Sequence, residues 1–566
     1  MFRCEDDYRD FFQLLSVGIE GPRISGAEKK ALRQYPPSGI ILFERNVENA
    51  GQLRELVLEL RDIIIESSGF APLIMADHEG GRISVLASAL GVPPSQMAVA
   101  EAKSVKKRRD VYRETSRLVK SCGVNVILSP LADINSNHLN PVIGTRAFGS
   151  DCGEVSELVS LAVETYRKEG LLTCLKHFPG HGSTSEDSHL TLPVAPITLD
   201  EFKEREVLPF ISGIKAGADM IMTAHIKPRD RVLPASMDPA AVRYLLREEL
   251  SFEGVIITDA LEMSGASLLP AGEDNRGDLR SLAGRALTAG NDILLFSRPV
   301  CEIVDEMENA FAGYSLEDTF AGGCFRKIHS EAAPRIIKLR KRFIDFAPKM
   351  RPSLSETDPL DTAVEMEKSH APDYRSSAYL AIAEDSVRVM RDPDSLLPLR
   401  PDYFNACTFF GGRSDFSGSA VKLFILNLVE GALESSSKSN PPRDNALRGV
   451  RKAVERLNRL PLEDDLLQVD IPPLPEGEKG SFFELSYNAA GKRNSKVLFL
   501  LCRKPVSEDT IRAISSESDV VVVSDWPYAA DLLSGDKTVI VTRGIFPAAS
   551  TIVNRILYEG GDSESH

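Results

Sequence analysis

Between Leu14 and Arg298 the chain alternates short apolar runs with longer segments in which Leu, Val and Ala recur among charged residues at helical spacing. The apolar runs are LLSVGIEG from Leu14, SGIILFERN from Ser38, APLIMADHEGGR from Ala71, GVNVILSPLADIN from Gly123, LLTCLKHFPGHG from Leu171, DMIMTAHI from Asp219, GVIITDALEM from Gly254 and NDILLFSR from Asn291. Helices are expected between them over 52–67, 107–121, 154–168, 201–215 and 278–288. Eight strand–helix alternations over roughly 300 residues suggest a TIM-type (β/α)8 barrel more than an open sheet. A helix-rich tail then runs to about Ala347, and a stretch rich in Pro, Ser and charge follows from Arg351. The pattern divides the α/β chain into a barrel domain over 1–347, a linker over 348–375 and a smaller α/β sandwich domain over 376–566. The sandwich should open with a helix over SSAYLAIAEDSVRVM and contain KVLFLLC, DVVVVSD and KTVIVTR as strands; 434–443 reads as an exposed loop.

In such a barrel the site lies at the C-terminal ends of the strands. Asp77, Glu79 and Arg82 follow LIMA, Asp133 and Asn135 follow VILSPLA, Lys176 and His177 follow LLTCL, His225 follows MIMTA and Asp259 follows VIIT. Strand ends are generally polar, but that does not account for ionisable groups at five of them, so convergence on one rim is expected. The fifth run ends in a loop, Pro179 to Pro193, that carries His181, Asp187 and His189. Asp187 and His189 are two apart and face the same way in an extended loop, so the carboxylate can orient the imidazole and make it a proton donor and acceptor. His181 reads equally well as a solvated or capping residue. A zinc site is the rival, because His177, His181, Asp187 and His189 are all acceptable ligands. Pro179 and Gly180 interrupt the His177/His181 spacing, however, so no helix presents both rings on one face.

At 566 residues and 43% apolar content, two packed cores are expected. The net charge of -15 argues against nucleic-acid and anionic-membrane partners, which would want a basic face. Eight cysteines without CxxC spacing read as reduced thiols. The first residues are acidic where a signal peptide is basic, and no run has transmembrane length, so a cytoplasmic location is expected.

The strand ends together resemble the glycoside hydrolase family 3 β-N-acetylglucosaminidases (β-hexosaminidases) of the two-domain type, through ILFERN, ADHEGGR, NPVIGTRAFG (140–149), KHFPGHGSTSEDSH, MTAHI and ITDALEM. EDSVRVMRDPDSLLPL (384–399) is similar, more weakly, to the opening of the family's second domain. The resemblance implies a retaining glycosidase that needs no metal or cofactor and takes a carbohydrate substrate. It implies Asp259 as nucleophile, Asp187 and His189 as the acid/base dyad, and sugar contacts from Asp77, Arg146, Lys176 and His177, with Asp133 and Arg82 lining the pocket. Two departures are His78, where DQEGGR is usual, and Val85, where relatives often carry Arg. The alternatives are a phosphorylase or β-glucosidase of the same family and, from another class, a metal-dependent barrel hydrolase or a barrel kept only for binding. A metal hydrolase of the amidohydrolase type would want HxH at the end of the first strand, which LLSVGIEG lacks. A binding-only barrel should have lost the nucleophile or the dyad.

Overall fold

The computed structural model describes residues 5–186, 191–263, 279–310, 325–343, 376–391, 403–410, 481–488, 495–501, 520–524, 533, 538–543, 549, 552–553 and 557. Each of the eight apolar runs supplies a strand of one parallel sheet. These are β1 (Leu15–Gly18), β2 (Gly39–Leu42), β3 (Leu73–Ala76), β6 (Val126–Ile127), β7 (Leu172–Phe178), β8 (Met220–Thr223), β9 (Val255–Thr258) and β10 (Leu294–Pro299). A small antiparallel hairpin, β4 (His78–Gly80) with β5 (Ile83–Ser84), follows β3.

The sheet order β10-β1-β2-β3-β6-β7-β8-β9 follows the chain around a ring. A parallel bridge from Ile257 to Ile293 closes it, with Asp292 N–H donating to Ile256 O (2.8 Å) and Thr258 N–H to Ile293 O (3.0 Å). Barrel strands are covered inside and out, which is why they read as continuous apolar runs and why β1, β2, β3, β7, β8 and β9 are buried at every position.

Helices Ala50–Ser68, Val105–Ser121, Cys152–Lys168 and Leu279–Ala289 fall where expected. Asn49, Ser104 and Asp151 cap the first three through side-chain bonds to backbone N–H groups. The helix expected over 201–215 is instead two, Leu199–Glu204 and Leu208–Ala216. Pro209 has no N–H to offer the carbonyl of Arg205, which accepts from Leu208 N–H instead (3.2 Å), so the chain turns at 205–207 and drives Glu206 inward.

The second sheet is mixed, with order β11-β16-β15-β14-β13-β12. The expected strands KVLFLLC, DVVVVSD and KTVIVTR are β14 (Ser495–Leu501), β15 (Val520–Ser524) and β16 (Thr538–Val541). β12 (Tyr403–Phe410) and β13 (Ser481–Asn488) extend the sheet on one side and β11 (Arg388–Arg391) on the other. The helix expected over SSAYLAIAEDSVRVM ends at Ser386, and its last residues form β11, paired antiparallel with β16. Helix Ser377–Ser386 seats Tyr379, Ile382 and Ala383 in the core beside the barrel's helix Val105–Ser121. The proposed linker and the loop at 434–443 lie outside the described residues.

Candidate active site at the barrel mouth

The hairpin after β3 sets the first two carboxylates. Val85 N–H donates to Asp77 O (2.9 Å), and Gly81 N–H donates to Pro93 O (2.8 Å), folding the chain back on itself. Gly80 has φ 101° and lies against Pro94 O, which a β-carbon would meet at 2.1 Å, so this turn accepts glycine alone.

Lys176 and His177 lie within β7, not beyond it, although the apolar run stops before them. Both are buried because both are paired. Lys176 Nζ contacts Asp77 Oδ1 and stands 2.5 Å from Glu79 Oε1. Arg146, on a turn (Gly144–Arg146) of the loop after β6, grips the same Glu79 through Nε (2.8 Å) and Nη2 (2.9 Å), with Nη1 on Val142 O (3.2 Å). Burial works to raise the Glu79 pKa, but the charges and hydrogen bonds of Arg146 and Lys176 outweigh it and hold it at about 2. Burial in turn disfavours the charged Lys176 and Arg146; the carboxylates overcome this, and both stay cationic. Asp77 closes the network with a side chain 25% exposed, against 1% for Glu79, so Asp77 is the carboxylate open to the mouth.

A second cluster stands on Asp133, which is fully buried. Its Oδ2 accepts from His177 Nδ1 (2.8 Å), and its oxygens take the backbone N–H groups of His177 (3.2 Å) and His181 (2.6 Å). Burial pushes the Asp133 pKa up, and His177 and His181 bring it below the usual range. His181 is buried, its Nδ1 2.9 Å from Thr184 Oγ1, and burial lowers its pKa to about 4, so it is a neutral structural residue. The rings of His177 and His181 meet edge to face at 5.9 Å. The Ser129–Pro130, Lys176–His177 and Phe178–Pro179 peptide bonds are cis.

Across the mouth, Asp259 follows β9, half-buried, with its N–H on Thr223 O (3.0 Å) and Oδ1 accepting from Ala260 N–H (2.8 Å). β3 and β9 are four places apart in the ring of eight, so Asp77 and Asp259 stand on opposite sides of the mouth. His225 braces the turn after Asp259: Nε2 donates to Ala260 O (3.0 Å), while Nδ1 accepts from Ser236 Oγ (2.7 Å). Burial lowers the His225 pKa against the opposing charge of Asp259, leaving the neutral tautomer these bonds require.

Residues 9–317, more than half of the chain, match the glycosyl hydrolase family 3 N-terminal domain. The chain belongs to glycosyl hydrolase family 3. It is similar to the β-hexosaminidase of Idiomarina loihiensis, 33% identical over 287 residues that make up 50% of this chain and 82% of the relative. A β-hexosaminidase of Stenotrophomonas maltophilia is 31% identical over 312 residues, 54% of this chain and 88% of the relative. The fold matches the family 3 β-N-acetylglucosaminidase of a Paenibacillus species with TM-score 0.68 over 98% of this chain and 96% of that one, at 22% identity. The chain is thus a family 3 glycosidase, built on the expected (β/α)8 barrel.

Of the residues the sequence nominates, Asp77, Asp133, Arg146, Lys176 and His177 come together in two linked clusters, and Asp259 faces them. Arg82 stands beside them with Nη2 on Val142 O (2.6 Å), the carbonyl that Arg146 also uses. Asp187 and His189 lie outside the described residues. Among the described residues, no three His, Cys, Asp or Glu side chains form a metal-binding group. Glu79 stands on the rim in the sequence pattern, yet the family resemblance gives it no role. The available signal was electrostatic: two rim cations, Lys176 and Arg146, need a buried carboxylate between them. Nothing in the local sequence singles out Glu206. It is buried behind the histidine loop, where the position of a β-carbon on Gly180 would be 2.9 Å from its Cβ, and it pairs with Arg205 and with Ser136 Oγ (3.3 Å).

Proposed function

We propose that the protein is a retaining N-acetyl-β-D-glucosaminidase that removes terminal non-reducing N-acetylglucosamine from oligosaccharides. The observation that carries this reading is the opposition of a half-buried Asp259 to the Asp77–Lys176–Glu79–Arg146 network across the barrel mouth. In the first step the Asp259 carboxylate attacks the anomeric carbon, the glycosidic C–O bond breaks, and His189, oriented by Asp187, gives its proton to the leaving oxygen. In the second, His189 takes a proton from water, whose oxygen displaces Asp259 and restores the starting configuration. Asp77, Lys176 and Arg146 hold ring hydroxyls by charge-assisted hydrogen bonds, with His177 and Arg82 beside them. Asp133 contributes by holding the His177 ring. We assign catalysis to a unit over 1–347, joined through 348–375 to a sandwich unit over 376–566. Support for this division comes from the two separate sheets.

The substrate we propose is a cell-wall-derived sugar met in the cytoplasm, as in peptidoglycan recycling. Cys122, Cys152, Cys174 and Cys301 are free thiols, which fits a reducing compartment. Among the described residues, no helix is long and apolar enough to cross a membrane.

Phosphorolysis is the second reading. A histidine becomes neutral on giving up its proton, whereas a carboxylate becomes anionic and would repel phosphate by several kcal/mol at low effective dielectric. One assay tests both readings: an aryl N-acetyl-β-glucosaminide against the aryl β-glucoside, with and without phosphate. Hydrolysis of the N-acetyl substrate is expected, with some sugar 1-phosphate at high phosphate that His189→Glu suppresses more than hydrolysis. Cleavage of the β-glucoside alone would overturn the specificity, and absence of sugar 1-phosphate would remove the phosphate route.

A further inference from the structure

The segment Pro93–Gln96 is gripped from three sides. On the first, the Gly80–Gly81 turn that follows Glu79 lies against it, through Gly81 N–H on Pro93 O (2.8 Å) and the close approach of Gly80 to Pro94 O. On the second, the buried Gln96 amide clamps Leu131, accepting from its N–H at Oε1 (2.8 Å) and donating to its carbonyl (3.1 Å). Leu131 is bridged to Lys176, Ala132 N–H donates to Lys176 O (2.8 Å), and Asp133 is the next residue along. On the third side stands Arg543, two residues beyond the end of β16. Ser95 Oγ, which caps helix Gln96–Ala100, donates to the Arg543 carbonyl, and Arg543 Nε is 3.2 Å from Glu101 Oε1 at the other end of that helix.

We propose that Arg543 is a positioning residue for the carbohydrate pocket, supplied by the second sheet. Through its side chain on Glu101 it seats the Pro93–Gln96 segment between the turn behind Asp77 and Glu79 and the strand end that carries Asp133, while its carbonyl on Ser95 Oγ is a main-chain anchor that side-chain substitution leaves in place. The proposal rests on the reading of that mouth as a sugar site. The segment has no slack to absorb a shift, since one face meets backbone at van der Waals distance and the other is fixed by two hydrogen bonds to one residue. The docked second sheet therefore tightens the sugar-binding geometry of Asp77, Lys176 and His177. The seam also contains a built-in control. Tyr379 OH meets Thr115 Oγ1 (3.0 Å) in the middle of helix Val105–Ser121, two turns and more beyond Glu101 in the chain.

The test compares full-length Arg543→Ala, Glu101→Ala, the double variant and Thr115→Val. Arg543→Ala and Glu101→Ala should each raise KM about three- to tenfold with kcat little changed, and the double variant should do no more than either single one. Arg543→Lys, which keeps a cation near Glu101, should recover most of the loss. Thr115→Val, which removes only the hydroxyl that meets Tyr379, should lower the melting temperature alone. Hydrogen exchange gives a readout independent of turnover: the Gly81 and Leu131 amides should exchange faster in Arg543→Ala than in Thr115→Val. If the wild type cleaves neither aryl glycoside, the sugar-site reading fails, and exchange at Gly81 and Leu131 still decides whether Arg543 holds the segment. Unchanged exchange at both amides, or an unchanged KM in an active Arg543→Ala, overturns the positioning role.

Discussion

Replacing Glu79 with Gln removes the carboxylate that Lys176 and Arg146 share and leaves two buried cations short of a partner. Breaking a buried pair in this way costs about 3–5 kcal/mol. Glu79→Gln should therefore melt well below the wild type and lose kcat/KM, measured by calorimetry and initial rates. Asp259→Ala should behave oppositely: the side chain is half-buried and bonds the adjacent Ala260 N–H, so the melting temperature should hold while turnover falls by about 10³-fold or more. His78 presents a pH-dependent case. It is fully buried, its Nδ1 has no partner, and burial lowers its pKa to about 3 from 6.5. A depressed folded pKa gives stability that is complete above pH 6.5 and lost as pH falls toward 3, because only the unfolded chain takes the proton. The loss from pH 7 to pH 5 is on the order of 2 kcal/mol. His78→Gln should flatten the fall of melting temperature over that interval, and an unchanged slope would count against the neutral buried ring.

The histidine loop after β7 is fixed at its base by backbone packing. A β-carbon on Gly182 would lie 1.6 Å from Ile134 O, and the Gly182 carbonyl accepts from Asn137 N–H (3.1 Å). No rotamer relieves a clash with backbone, so Gly182→Ala must move the loop or the Ile134–Asn137 segment. A displacement near 1 Å at a reacting group can cost about 10²-fold, and that loss is expected in kcat/KM with the far-ultraviolet circular dichroism of the wild type retained. Behind the loop, the bend that Pro209 enforces points Glu206 inward. Its Oε2 is buried without a hydrogen-bond partner, and burial, opposed by Arg205, raises its pKa.

At the scale of the molecule, helix Ser377–Ser386 joins the second sheet to the barrel by burying apolar surface. Tyr379 is 4% exposed and seated in the core cluster that the barrel also forms. Truncation of such a ring costs about 3–5 kcal/mol. Tyr379→Ala should lower the melting temperature while the KM of the folded fraction stays that of the wild type. Activity of the whole chain should survive dialysis against a chelator, since the proposed steps use only Asp259, Asp187 and His189. Loss of activity that zinc restores would promote the metal alternative.

Eight strands were legible because a barrel strand buried on both faces must be apolar along its length, and that signature is local. The same logic put Asp77, Asp133 and Asp259 on strand ends, and the Lys176–His189 and ITDALEM motifs carried the family resemblance. Only the tertiary structure decided how the charges are shared. Glu79 and Arg146 are 67 residues apart and Lys176 and Asp77 are 99 apart, and nothing in either neighbourhood says which carboxylate answers which cation. It decided that Lys176 and His177 stay inside β7, because Asp77, Glu79 and Asp133, brought in from beyond the ends of other strands, pair with them. It decided that one helical segment is two, and that Arg543 reaches the segment behind the pocket. A run of side chains specifies the element it will form, because propensity and burial act over a few residues. Ion pairs and packing depend on distances that exist only once the barrel has closed.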